Sequence, residues 1–149
     1  MRTVLTLTSL LIVFGCATNG AAPGTEPGVT LVQLSRVAEG TQYDRGPISV
    51  HYAVEVKNTM TAPIQLLRVG VQSIGGGAYD VGPYSQGFNE TIGLGETKSV
   101  SFWAPARVAM ATVGSANGPV TLRGTLEFES AGKKFQTVVV QNIAPEGGN

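Results

Sequence analysis

The chain has 149 residues with ten basic side chains, ten acidic side chains and one histidine, so its formal net charge at pH 7 is zero. Charged residues make up only 13% of the chain and hydrophobic residues 42%, which is typical of a folded domain rather than a disordered segment. The balanced charge predicts no nucleic-acid partner. Because there is a single cysteine, neither an internal disulfide nor a metal site built from several cysteines is available.

The first 15 residues have the layout of a secretory signal peptide. Arg2 supplies a short positive region, residues 4–14 are largely apolar, and the small residue Gly15 precedes Cys16. The apolar run is well short of the roughly 20 residues that a membrane-spanning helix needs. Residues 1–15 are therefore predicted to be removed on export.

The segment Val13-Phe14-Gly15-Cys16 resembles the lipobox of bacterial lipoproteins. In that family the peptide is cut directly before the cysteine, and the cysteine is lipidated. An ordinary signal peptide followed by a free thiol is the alternative, but an unpaired cysteine in an exported chain needs an explanation, and lipidation supplies one. The resemblance implies a lipid anchor on Cys16 and, because Ala17 rather than Asp follows it, an outer-membrane location facing the periplasm.

Residues 16–28 are predicted to be the lipidated cysteine and a flexible tether, because they are rich in Gly, Pro, Ala and Thr and lack large apolar side chains. Residues 29–143 are predicted to form one β-domain, and residues 144–149 a frayed tail.

The β-domain is predicted from apolar runs of strand length that alternate with turn signals. In chain order the predicted strands are Val29 to Ala38, Ile48 to Lys57, Ile64 to Ile74, one or two short strands within 78–92, Thr97 to Ala104, Val120 to Glu129, and Lys134 to Ile143. A slip in apolar phase between Leu66 and Leu67 predicts a bulge, and Pro83 restricts its strand to a sheet edge. Residues 105–118 are predicted to be a long connection with one helical turn around Pro105 to Met110.

These elements predict an all-β fold of seven or eight strands, arranged as an antiparallel immunoglobulin-like sandwich. A small barrel is the alternative. The hairpin before the last strand is predicted at Ser130-Ala131-Gly132-Lys133, where glycine suits a tight turn.

Two turn-and-strand motifs carry a family resemblance: Val54-Glu55-Val56-Lys57-Asn58-Thr59-Met60-Thr61-Ala62-Pro63-Ile64-Gln65-Leu66, and Gly95-Glu96-Thr97-Lys98-Ser99-Val100. They resemble the water-stress and hypersensitive-response domain of type-2 late-embryogenesis-abundant proteins. The resemblance implies an immunoglobulin-like fold and a role in protection or binding, and it implies no catalytic residues. On physical grounds alone, Asn58 is expected to cap the turn after its strand.

No residue pattern indicates catalysis or a cofactor. His51 is the only histidine and falls on the polar face of its strand, so we interpret it as a solvated surface residue. Glu127 and Glu129 share one strand face at a spacing of about 7 Å, which is compatible with a carboxylate hydrolase. Alternating polar residues on any solvent-facing strand look the same, so the interpretation as a surface strand is favoured.

Three aromatic residues are the candidate interaction surface. Trp103 points outward if Val100 and Phe102 point inward, whereas Tyr79 and Tyr84 lie in a region rich in glycine and proline. The competing interpretation, which the sequence favours, places Trp103 over the core at a sheet end or under the 105–118 connection, because aromatic side chains usually bury most of their area.

The sequence thus predicts a membrane-anchored envelope lipoprotein that acts as a non-enzymatic binding module. Its partners would be the membrane, through the lipid on Cys16, and an envelope protein or polymer. A carrier that holds an apolar ligand or lipid between its sheets is the alternative, and a hydrolase using Glu127 and Glu129 is a further one.

Overall fold

The computed structural model describes residues 24–35, 48–108 and 118–144, and within these ranges all regular structure is β-strand. The eight strands are β1 (Gly28–Gln33), β2 (Ile48–Lys57), β3 (Ile64–Ser73), β4 (Tyr79–Asp80), β5 (Tyr84–Ile92), β6 (Thr97–Val108), β7 (Val120–Ser130) and β8 (Lys133–Ile143). Cys16 and the tail from residue 145 lie outside the described residues.

The strands form two four-stranded antiparallel sheets. The first sheet has the order β1-β2-β6-β4, and the second has the order β5-β3-β7-β8. This interleaving, in which β2 and β3 are consecutive but belong to different sheets, is the arrangement of immunoglobulin-like sandwiches. The predicted fold class is therefore confirmed.

The core is formed by alternate residues of both sheets. Along β2, Val50, Tyr52, Val54 and Val56 are buried and face the interior. The opposing sheet contributes alternate side chains from β3 and β7: Ile64, Leu66, Val69, Val71, Val120, Leu122, Leu126 and Phe128. Each large apolar side chain contributes about 1.5–3 kcal/mol when fully buried, so the period-two pattern of the sequence translates directly into stability. These side chains belong to one buried hydrophobic cluster between the sheets.

Two irregularities that were predicted from single residues are confirmed. The pairing register of β3 shifts between Leu66 and Arg68 against both neighbouring strands, which is the predicted bulge. Strands β4 and β5 on either side of Pro83 both lie at sheet edges, as the missing N–H of proline requires. Strand β5 is nine residues long, however, rather than short.

The predicted helical turn at Pro105 is wrong, because β6 runs through Pro105 to Val108. Pro105 pairs with Ser49 of β2, and β4 pairs with β6 only at Arg107 and Val108. The proline nitrogen points away from β2, toward an edge with no described strand beside it, so no ladder hydrogen bond is lost. Most of the predicted 105–118 connection, residues 109–117, lies outside the described residues.

The end of the predicted tether is fixed to the sandwich rather than free. The N–H of Gly24 donates to the carbonyl of Thr59 at 3.0 Å, and the Thr59 hydroxyl donates to the carbonyl of Glu26 at 2.6 Å. Pro27 is buried, and Gly28 already belongs to β1. The prediction of flexibility over 16–28 is therefore wrong from Gly24 onward, because its polar main chain finds partners on the turn after β2.

Asn58 ties together the turns at this end of the sandwich. Its buried side-chain amide donates to the carbonyls of Ala62 at 3.0 Å and Ile92 at 3.1 Å, and its Oδ1 accepts from Met60 N at 2.9 Å. Its own N–H donates to the carbonyl of Glu96, so main chain and side chain are both engaged. Asn58 thereby joins the β2–β3 turn to the β5–β6 turn.

We predict that Asn58→Ala lowers the free energy of unfolding by about 2–4 kcal/mol, because one buried and two partly buried backbone groups lose their partners. Asn142→Ala is the matched control, since its amide bonds only at the exposed surface, to Thr121 Oγ1. Urea denaturation of both variants measures the difference. If both variants lost the same small amount of unfolding free energy, the role given to Asn58 would be contradicted.

Candidate functional site

The outer face of the first sheet carries a facing pair, His51 on β2 and Trp103 on β6. The main chain of His51 makes its hydrogen bonds on the side of β2 that faces away from β6. Its N–H donates to Ser35 Oγ at 3.0 Å, and its carbonyl accepts from Leu34 N at 2.8 Å. His51 and Trp103 are therefore a non-hydrogen-bonded pair of the antiparallel ladder. In such pairs the strands approach most closely, with Cα atoms about 4.5 Å apart, and the side chains come into contact.

The two rings are stacked face to face, with centroids 4.4 Å apart and planes 3° apart. Trp103 nevertheless keeps 54% of its surface exposed, and Leu34, which lies beside His51 on the same face, keeps 45%. We call Leu34, His51 and Trp103 the aromatic surface. The interpretation of Trp103 as a buried cap of the core is wrong, because the alternation of β6 places Phe102 and Ala104 inward and Trp103 outward.

Along the β2–β6 ladder, short side chains flank the stacked rings on both sides. Ser49 faces Pro105 in the next row of the ladder on one side, and Ala53 faces Ser101 on the other. None of these four side chains is long enough to cover the indole ring, so the stacked rings rise above their neighbours. The arrangement provides a flat apolar platform with hydroxyl groups at its border, and among the described residues the His51 ring makes no hydrogen bond to a hydroxyl group.

Charged groups lie away from the centre of this face. Glu55 and Lys57 follow along β2, and Arg107 is near the far end of β6. The aromatic surface is therefore mainly apolar. Because apolar surface is removed from water when a partner covers it, its burial would favour binding.

Tyr79 does not belong to this surface, because it is buried in the core with 1% exposure. Its hydroxyl accepts from the Tyr52 hydroxyl at 2.9 Å and donates to Gln33 Oε1 at 2.6 Å. The Gln33 amide in turn donates to the carbonyl of Ser35 at 2.8 Å. This chain of bonds satisfies three buried polar side chains, so the sequence-based placement of Tyr79 on an interaction surface is wrong.

Burial raises the pKa of the Tyr52 phenol, and the neighbouring Tyr79 raises it further. Burial also raises the pKa of the Tyr79 phenol, partly offset by the hydrogen bond from Tyr52. Both hydroxyls therefore remain neutral donors at physiological pH, which suits a structural role in the core.

We predict that Tyr79→Phe destabilises the fold more than Tyr52→Phe. Loss of the Tyr79 hydroxyl leaves both the Tyr52 donor and the Gln33 acceptor unpaired, at about 1–3 kcal/mol for each buried group. Loss of the Tyr52 hydroxyl leaves the Tyr79–Gln33 bond intact. Thermal unfolding of the two variants checks the order, and a larger effect of Tyr52→Phe would contradict the assigned bond directions.

Tyr84 is half-buried and lies on the other sheet, with its ring 6.2 Å from that of Phe102 across the sandwich. It therefore does not join Trp103, whose side chain is on the opposite face of β6. Sequence analysis missed His51 and Leu34 as members of the site. The pairing of two strands separated by about 50 residues places them beside Trp103, and no local pattern encodes that register.

Glu127 and Glu129 lie on the outer face of the second sheet. Glu127 is paired with Arg68 at 3.6 Å and accepts from Gln136 Nε2 at 3.2 Å, which are ordinary contacts of an exposed strand. Across the parts of the chain that the structure describes, no three acidic, histidine or cysteine side chains are grouped to hold a metal ion. No helix in these parts is long and apolar enough to cross a membrane.

Comparison with known proteins shows the fold and nothing finer. No family model and no curated protein matches the chain. A Bordetella pertussis protein described as ApaA has a similar structure, with 16% identity, a TM-score of 0.52, and coverage of 81% of this chain and 94% of that one. An X-ray structure of a Northeast Structural Genomics Consortium target gives 9% identity, a TM-score of 0.51, and coverage of 81% and 86%.

Proposed function

We propose that the protein is a lipoprotein anchored in the cell envelope through Cys16, and that its sandwich is a non-enzymatic binding module. The observation that carries the binding role is the exposed stack of His51 and Trp103 with Leu34 beside it. The partner would be a protein or polymer of the envelope. The anchor and the outer-membrane location facing the periplasm rest on the resemblance of residues 13–16 to a lipobox.

Binding at the aromatic surface would remove a large apolar area from water. Trp103 keeps 54% of its surface exposed, so a covering partner removes about half of the roughly 150–250 Å² that a fully buried aromatic side chain loses. Tryptophans are also enriched among interface residues whose loss costs about 2 kcal/mol or more. The stack on His51 holds the indole ring in one orientation before binding. Less side-chain entropy is then lost when the partner arrives.

The proposed anchor and the aromatic surface lie toward opposite ends of β2. Gly24 is bonded beside the turn that follows Lys57, whereas His51 lies six residues earlier, about 20 Å along the strand at roughly 3.3 Å per residue. The chain from Cys16 to Gly24 spans at most about 28 Å. An anchor at Cys16 would therefore hold the Asn58 end near the bilayer and leave the aromatic surface farther from it.

Site-specific photo-crosslinking in cells tests the binding role. A photoreactive residue at Ser101, which flanks the aromatic surface, is expected to give a discrete adduct, whereas one at Gln136 on the opposite sheet gives none. Trp103→Ala should reduce the Ser101 adduct about tenfold or more, since 1.4 kcal/mol corresponds to a factor of ten. The proposal would be contradicted if no adduct formed at Ser101 in the protein that retains Trp103. It would also be contradicted if the Ser101 adduct persisted in Trp103→Ala.

The same cells test the anchor separately. Labelled palmitate should enter the wild-type protein and not Cys16→Ser, and the variant should leave the membrane fraction. If palmitate did not label the wild-type protein but the crosslinked adduct still depended on Trp103, the proposed anchor would be wrong and the binding role would stand.

A further inference from the structure

Gly70 is an unexplained glycine in the middle of the central strand β3. Glycine inside a strand lowers stability by about 0.5–1 kcal/mol relative to alanine. A glycine at such a position therefore usually has a structural or functional reason. At Gly124 of β7 the reason is packing, because a Cβ would lie 2.9 Å from Val139. Gly87 pairs beside the β3 bulge at Arg68.

Gly70 has neither explanation. A Cβ built there would meet its nearest neighbours, the carbonyl oxygens of Thr125 and Tyr84, at 3.6 and 3.7 Å, which are ordinary contacts. It is not among the glycines with positive φ. An interior strand glycine without a packing or backbone reason often marks a place where a ligand approaches the sheet closely.

A surface cavity of about 250 Å³ lies at this position on the outer face of the second sheet, and Gly70 contributes to its wall together with Gln72, Pro83, Arg123 and Thr125. The missing side chain at Gly70 leaves this space open, because the outward positions beside it on β5 and β7 are the small residues Ser85 and Thr125. The volume is just below the roughly 300–1,000 Å³ of typical small-molecule sites, so it suits a small ligand or one end of a longer one.

The charge of the cavity is set by Arg123. Arg68, the other arginine on this face, is paired with Glu127 at 3.6 Å. Arg123 has no ion-pair or hydrogen-bond partner among the described residues, so its guanidinium is available. One guanidinium has the charge and the planar donor geometry for one carboxylate, and the Gln72 amide and Thr125 hydroxyl can supply further donors.

We propose that this cavity binds a small carboxylate ligand, with the carboxylate on Arg123 and the body of the ligand over Gly70. The site is independent of the aromatic surface, which lies on the outer face of the other sheet. Val138 and Val140, which are 50% and 56% exposed, continue the same rows of the ladder beyond Thr125 and Arg123. They provide an apolar border for an aliphatic group of the ligand.

Titration of the full-length protein with N-acetylalanine, followed by ¹⁵N NMR, tests the proposal. Saturable shifts are expected at the Gly70 and Thr125 amides and at Arg123 Nε, with a Kd of order 1 mM. N-acetylalanine amide, which lacks the carboxylate, should leave these signals unchanged. Arg123→Gln should raise the Kd at least tenfold, whereas Arg107→Gln, an exposed arginine of the first sheet, should not.

Gly70→Val separates binding from folding. Valine favours strands, and its side chain would extend into the cavity, so binding should be lost while the melting temperature is unchanged or higher. The proposal would be overturned if N-acetylalanine amide gave shifts equal to those of N-acetylalanine, or if inorganic phosphate bound more tightly than N-acetylalanine. An unchanged Kd in either Arg123→Gln or Gly70→Val would also overturn it.

Discussion

The register of β2 against β6 is the constraint on which the candidate site depends. Ten residue pairs fix it, from Ile48 opposite Ala106 to Lys57 opposite Thr97, and the bonds of Asn58 with Gly95 and Glu96 continue it into the turns. Because side chains alternate across a strand, a slip of one residue would exchange the inward and outward faces. The same register that buries Tyr52 and Phe102 therefore places His51 and Trp103 together in solvent.

Local patterns in the sequence were sufficient for much of the fold. The alternation from Ile48 to Lys57 identified β2 and its buried face, the apolar phase slip after Leu66 identified a bulge, and Pro83 identified an edge. Each of these depends on neighbours within a few residues, where strand and turn chemistry act directly.

Features set by long-range pairing could not be predicted in this way. Pro105 looks like a strand breaker in sequence, yet it fits β6 because its nitrogen faces an edge without a described strand. Tyr79 stands among glycines and prolines, yet Gln33 and Tyr52 supply hydrogen bonds that make its burial favourable. Trp103 was expected to be covered, and only the pairing with His51 shows what holds an exposed indole in place.

The central claim is that the aromatic surface is covered by a partner in the cell. Hydroxyl-radical footprinting read by mass spectrometry measures this directly, because Trp103 is the only tryptophan of the chain. Relative to the half-buried Phe135 on the second sheet, oxidation of Trp103 should fall several-fold in intact cells compared with the purified protein. An unchanged ratio between the two residues would mean that the surface stays open to solvent, and it would contradict the account.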